Sequence, residues 1–326
     1  MTINKVNILS DISSSGFRTR TAPSPTGYLH LGTARTVLFT KLFSVINRGI
    51  FYFRLEDTDR NRLEPEAAKN LVLALDDLGL GADEGVCIYN PKFGKDDFYN
   101  LSQKGEFGPY IQSERKNIYY EHAQKLIDKG IAYWNYLTSE EKIELQEIKK
   151  TTKKPINYYK ICSERFGVQI STDVRAGLND VRKPLLMHKL QRDEIVTCTD
   201  ELLGETKFDL NLEEDYGLLK SDGYPTYHLA HIVDDYLMKT SLVVRSQEWY
   251  PSFPKHYALF MDYLGFIPKY VHIPFILGEQ GNKKMSKRDG NVNMQDYLDQ
   301  GFLEEAVINY LAFLGWNPGT DKELYL

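Results

Sequence analysis

The run from Phe17 to Asp59 restricts the fold more than any other part of the chain. Phe17 to Ala22 reads as a short strand. Pro23-Ser24-Pro25-Thr26-Gly27 can neither prolong that strand nor open a helix, because proline lacks the backbone N–H and fixes φ. From Leu31 onward, Leu31, Ala34, Leu38, Leu42 and Val45 recur at three- and four-residue spacing, which predicts an amphipathic helix closed by Asn47-Arg48-Gly49. Ile50 to Leu55 reads as a buried strand, followed by the acidic loop Glu56-Asp57-Thr58-Asp59. Strand, helix and strand on short links make a βαβ unit, hence a parallel sheet. Such sheets bind ligands beyond the carboxyl ends of their strands, so the proline turn and the acidic loop both fall on the expected binding edge.

The pattern then changes. Ala67, Ala68, Leu71, Leu75 and Leu78 predict a second helix, ended by Gly79 and Gly81. From about 85 to 204 the regularity is lost in aromatic-rich loops with one helix near Glu114 to Lys129, which reads as an insertion. Ser241 to Arg245 is a β-branched strand leading into Ser246-Gln247-Glu248-Trp249, and Glu304 to Leu314 is a closing amphipathic helix. The expected division is a polar leader (1–15), two halves of an α/β domain (16–84 and 205–280) around the insertion (85–204), and a terminal part (281–326). A length of 326 residues suits two domains, or one domain carrying a large insertion.

Net charge is −5, which excludes a surface coated in basic residues but leaves room for local basic patches at Lys149 to Lys154 and Lys283 to Arg288. Either run alone reads better as a solvated face. Cys87, Cys162 and Cys198 are far apart and form no C-x-x-C pair, as in a reduced cytosolic protein. No stretch is apolar enough to span a membrane, and Met1 to Ser15 lacks a secretory pattern. The cytoplasm is expected, with an organellar origin left open by the serine-rich start, against which Asp11 counts.

Two segments carry candidate chemistry. His30-Leu31-Gly32-Thr33 opens the first helix, where free N–H groups and a partial positive charge favour a phosphate chain. His30 could add a donor, and Gly32, without a Cβ, would let a flat base approach. Taken alone, these residues read better as a helix start with an incidental histidine and glycine. Lys283-Lys284-Met285-Ser286-Lys287-Arg288 lies between Gly278, Gly281 and Gly290. Lysines on such a loop can close on a polyphosphate and neutralise the charge of departing pyrophosphate.

The chain resembles the glutamyl-type class I aminoacyl-tRNA synthetases. Arg20-Thr21-Ala22-Pro23-Ser24-Pro25-Thr26-Gly27-Tyr28-Leu29-His30-Leu31-Gly32-Thr33-Ala34-Arg35 is similar to their opening run with its first signature. Lys284-Met285-Ser286-Lys287-Arg288 is similar to the second, with Arg288 in place of a serine. Arg54 to Asp59, Gly108 to Arg115, Lys220 to Ala230 and Leu314 to Pro318 match in the same order, from Arg18 to the end. The resemblance implies a Rossmann catalytic domain interrupted by an insertion that binds the tRNA acceptor end, then the start of a stem-contact helical region. It implies that Arg20, Ala22, Ser24, Glu56, Tyr227, His231 and Arg245 line a glutamate pocket, with Arg245 on the side-chain carboxylate. Without it, Arg245 would read as half of a strand-end surface salt bridge. It further implies that His30, Gly32, Glu248, Trp249, Ser286 and Lys287 contact ATP or the adenylate. His30, Gly32, Lys284 and Lys287 would be catalytic, and Mg²⁺ would be held mainly by phosphate oxygens and water.

The expected activity is ATP-dependent activation of L-glutamate and its transfer to the 3′-terminal adenosine of tRNA(Glu) by a monomer. The runner-up is the short paralogue that attaches glutamate to a modified base, as in glutamyl-queuosine tRNA(Asp) synthetases. A third reading is a non-catalytic tRNA-binding remnant. Three departures stand out. Tyr133-Trp134-Asn135-Tyr136 replaces the cysteine pair of zinc-binding members, so no zinc is expected. His231 stands where asparagine is common. The sequence stops at Leu326, where full-length relatives continue into anticodon-binding helices, so a catalytic portion alone is expected.

Overall fold

The computed structural model describes residues 16–25, 27–59, 64, 66–88, 101–166, 173–278, 285 and 293–325. Strand β1 (Arg18–Thr21), helix α1 (Leu31–Ile46) and strand β2 (Ile50–Phe53) form the expected βαβ unit, with β1 and β2 paired in parallel. Helix α2 (Ala67–Asp77) leads to β3 (Glu84–Ile88), parallel to β2, and β4 (Leu101–Lys104) turns back antiparallel to β3. There follow α3 (Lys116–Asp128), β5 (Ala132–Asn135), α4 (Ser139–Thr152), α5 (Tyr158–Phe166), α6 (Val174–Asn179), β6 (Leu185–His188), β7 (Ile195–Asp200), β8 (Gly204–Asp209) and β9 (Tyr216–Leu219). The chain ends with α7 (Tyr227–Leu237), β10 (Leu242–Ser246), α8 (Phe253–Leu264), β11 (Lys269–Ile273), α9 (Met294–Asp299) and α10 (Glu304–Phe313).

The main sheet has six strands in the order β11-β10-β1-β2-β3-β4, parallel apart from its β4 edge. Strand β10 is apolar from Leu242 to Val244 because both of its faces are covered. Leu242 and Val244 share a cluster with Phe17, Phe39 and Phe43, while Val243 packs with Val233, Leu259 and Tyr270. Strand β1, Arg18-Thr19-Arg20-Thr21, is buried along its whole length with polar side chains instead, Arg18 bonded to Glu84, Thr19 to the Leu242 carbonyl and Arg20 to Asp235. Burying Val243 and Val244 contributes about 1.5–3 kcal/mol each.

A smaller antiparallel sheet, β5-β6-β9, and the β7–β8 hairpin come from the sequence between the halves of the main sheet. They share one core with α7 and α8 through Trp134, Leu186, Leu218, Ile232 and Leu259. Trp134 is fully buried, and a Cβ at Gly177 would collide with its indole. Residues 85–88 continue as the paired strand β3, and β9 belongs to the smaller sheet.

Helix α4 was not visible as an apolar period, because none of its residues is buried. Its signal lay at the start, where Thr138 and Glu141 form a capping box. No helix among the described residues is long and apolar enough to cross a membrane.

Candidate active site

Strands β1 and β10 are parallel neighbours. From β1 the chain runs on to β2 on one side, and from β10 to β11 on the other. That divergence opens a crevice at the carboxyl ends of the two strands. A cavity of about 740 Å³ lies there, lined by the turn after β1, the start of α1, Glu56, Tyr227 and the segment Val244 to Trp249.

His30 is the N-cap of α1, in extended conformation, and its carbonyl accepts the Ala34 N–H at 2.8 Å. The first turn holds no acidic side chain, so the positive end of a 16-residue helix faces the cavity without a built-in anion. A Cβ built at Gly32 would meet nothing within 4 Å, which leaves the backbone there open to a flat ligand. The helix is anchored through Arg35, whose guanidinium donates to the carbonyls of Leu314 and Pro274.

Arg245, near the end of β10, is only 5% exposed and lines the cavity wall. Its Nε donates to His272 Nε2 at 2.8 Å. Nη1 donates to His256 Nδ1 at 2.9 Å and to the Tyr227 hydroxyl at 3.2 Å, and Nη2 donates to the Trp249 carbonyl at 3.4 Å. Burial holds both His256 and His272 below the ordinary imidazole range, and burial raises the Tyr227 hydroxyl, so these side-chain partners are neutral. Among the described residues no carboxylate pairs with this guanidinium, which corrects the strand-end salt bridge as a reading of the residue. A buried positive charge is thus oriented at the cavity wall with no anion bonded to it among the described residues.

Two other arginines near the site, Arg20 and Arg54, are paired with carboxylates. Tyr227, His231 and Asp235 follow one another at four-residue spacing on α7, and so share one face. Asp235 accepts from Arg20 Nε at 3.1 Å and Arg54 Nη1 at 2.6 Å, and its other oxygen lies 2.9 Å from His231 Nδ1. Arg54 Nη2 donates to Glu56 at 3.0 Å. Burial pushes the Glu56 carboxyl up, against the pull of Arg54 and Arg20. Asp234 takes Arg115, Gln112 and Tyr119 on the adjacent side. The result is a buried ionic network whose Arg20 and Glu56 reach the cavity lining.

Arg20, Ala22, Ser24, His30, Gly32, Glu56, Tyr227, Arg245, Glu248 and Trp249 all line the cavity. The Tyr227 and Trp249 rings lie 4.2 Å apart and make an aromatic shelf. His231 is not in the lining. It stacks behind Tyr227 at 5.4 Å and 14°, with its nitrogens turned to Asp235 and to the Tyr270 hydroxyl at 2.8 Å. Lys284, Ser286 and Lys287 lie outside the described residues. Met285 between them lines the cavity, and its N–H donates to Ile276. The residues that sequence reasoning missed are His256, His272 and Asp200. No local spacing announces them, since they come from α8, β11 and β7.

Comparison with known proteins shows the family of the chain. The family described as tRNA synthetases class I (E and Q), catalytic domain, matches residues 16–326. The chain belongs to the class I glutamyl and glutaminyl tRNA synthetase family. Among curated members, the chain is 38% identical over 308 residues to the glutamate–tRNA ligase of Clostridioides difficile, covering 94% of this chain and 60% of that protein. It is 39% identical over 315 residues to that of Clostridium tetani, covering 96% and 60%. A crystal structure of a glutamate tRNA ligase from Elizabethkingia meningosepticum in complex with its amino acid superposes with a TM-score of 0.79 at 32% identity, over 95% of this chain and 63% of that one. The chain therefore spans about 60% of the length of the curated family members it matches.

The buried histidines give this family member a testable acid sensitivity. Burial lowers His122 and His228 to about 4 and His231 to about 3, from 6.5. The unfolded chain therefore binds these protons first. Stability is full above the unfolded value of 6.5 and is lost as pH falls toward about 4. The thermal midpoint should drop between pH 7 and pH 5, and a flat midpoint over that interval would contradict neutral histidines in the fold.

Proposed function

We propose that the chain carries the catalytic site of a glutamate–tRNA ligase. It activates L-glutamate with ATP and passes the glutamyl group to the 3′-terminal adenosine of a tRNA whose acceptor end rests on the inserted segment. The observation that carries this reading is Arg245, a buried guanidinium held by neutral partners at the wall of a cavity that also contains a helix start without acidic residues. The first favours a carboxylate side chain, the second a phosphate chain.

In the activation step an α-carboxylate oxygen of glutamate attacks the α-phosphorus, the bond to the β-phosphate breaks, and pyrophosphate leaves. In the transfer step a terminal ribose hydroxyl takes the acyl group and AMP leaves. No side chain needs to become covalently attached, so the protein contributes position and charge. Mg²⁺ supplies charge neutralisation when it arrives with ATP. Among the described residues no cluster of three or more histidine, cysteine, aspartate or glutamate side chains could hold a metal ion. Because Tyr133-Trp134-Asn135-Tyr136 offers no cysteine pair, we expect metal analysis of purified protein to find no stoichiometric zinc. A cytoplasmic monomer completes the reading.

Lys287, from the signature loop, should act as pyrophosphate separates. Lys287→Ala is expected to lower the exchange rate by roughly 10²- to 10³-fold while glutamate KM changes little. His30→Ala should act in the same direction at the helix start. An unchanged rate in either variant removes that residue from the chemistry. Transfer to periodate-oxidised tRNA tests the acceptor. Product on intact tRNA only supports attachment to the terminal ribose, whereas product on both would point to base attachment.

A further inference from the structure

We propose that Asp200 and His272 form a positioning pair for Arg245, fixing the direction of its guanidinium without neutralising it and thereby setting the preference for a carboxylate-bearing amino acid. The inference rests on the proposed role of Arg245 in binding the glutamate side chain. A recognition arginine needs a fixed orientation, yet an acid bonded directly to it would compete with the substrate. A neutral imidazole meets both needs, provided its unprotonated nitrogen faces the arginine.

That provision is what Asp200 supplies. One of its oxygens lies 2.7 Å from His272 Nδ1 and accepts the His272 backbone N–H at 3.0 Å. The Nδ1 proton is thereby held on the far side of the ring, and Nε2 is left to accept from Arg245 Nε at 2.8 Å. The second oxygen accepts the N–H groups of Leu202 and Leu203 at 2.9 and 2.8 Å, so the carboxylate cannot swing away. Asp200 and His272 are each buried, at 1% and 0% exposure. The imidazole is boxed in by Tyr250 and Phe253, each at 5.1 Å, and by Tyr270, stacked at 10°. Arg245 itself lies 4.9 Å over the Tyr270 ring. Burial and the Arg245 charge keep His272 unprotonated against the pull of Asp200. Asp200 ends β7 of the hairpin, so the segment between the halves of the main sheet reaches the pocket through this pair.

The test is glutamate-dependent ATP–pyrophosphate exchange by the whole chain and its variants. His272→Leu removes the acceptor while filling the space. The loss of one hydrogen bond to a charged group predicts a glutamate KM raised roughly tenfold to a hundredfold. The rate constant should stay within about threefold and ATP KM should be unchanged, a split that general loosening would not give. His272→Gln, whose amide oxygen reaches the place of Nε2, should restore most of the loss. Asp200→Asn, with one oxygen left for two sets of donors, should raise glutamate KM by a smaller factor and keeps the test open if His272→Leu does not fold. An unchanged glutamate KM in the folded variants, a parallel rise in ATP KM, or failure of His272→Gln to do better than His272→Leu would overturn the pairing. If the unaltered chain shows no glutamate-dependent exchange, the proposed function falls and the pairing with it. If it exchanges normally and the variants are indifferent, the pairing alone is wrong.

Discussion

Replacing Arg245 with alanine is expected to lower kcat/KM for glutamate activation by roughly 10²-fold or more, the equivalent of about 3 kcal/mol for a charged hydrogen-bonded pair. The reason is local. The guanidinium is buried, its side-chain partners are His272, His256 and the Tyr227 hydroxyl, and among the described residues no carboxylate is bonded to it. Glutamine, being neutral at the same atoms, should lose much less, so the preference for glutamate should narrow by a large factor. Arg245→Lys keeps the charge but not the fork and should recover only part of the activity. Exchange kinetics with both amino acids decide the matter. Equal losses for the two would show that Arg245 does not read the side chain.

The largest effect on stability is expected at Asp235. This residue is 1% exposed and receives Arg20, Arg54 and His231. Asp235→Ala leaves guanidinium groups buried beside one another without their shared anion, at a cost of about 3–5 kcal/mol. For a chain of this size that corresponds to a fall in Tm on the order of 10 °C. Glu147→Ala offers the contrast, because its ion pair with Lys150 is exposed on both sides and should be worth about 1 kcal/mol or less. A thermal melt that separates these two variants by only a degree or two would show that the buried ionic network is not what holds β1, β2 and α7 together.

The sequence was informative where physics writes a local period. The change from strand to proline turn to a three-and-four spacing placed β1, α1 and β2 within a residue or two of where they lie, and with them the binding edge. It was silent where a structure needs no period. Helix α4 buries nothing and so shows no apolar stripe. The aromatic-rich stretch beyond Gly85 concealed that β3 continues the main sheet. At the site, residues on the turn and at strand ends were legible through their family resemblance, and they do meet in one cavity. His231 stands behind Tyr227, one turn along the same face of α7. The acceptors that orient Arg245 could not be found from spacing at all. They are brought together only when β7, α8 and β11 pack around β10.

The most direct test of the account is ATP–pyrophosphate exchange by the unaltered chain, run with glutamate, glutamine and aspartate, with and without tRNA. The account predicts exchange that depends on glutamate and is far weaker with glutamine, whose side chain offers Arg245 no charge, and with aspartate, whose shorter side chain leaves the carboxylate out of reach. Exchange that is absent under every condition, or equally fast with glutamine, would contradict it.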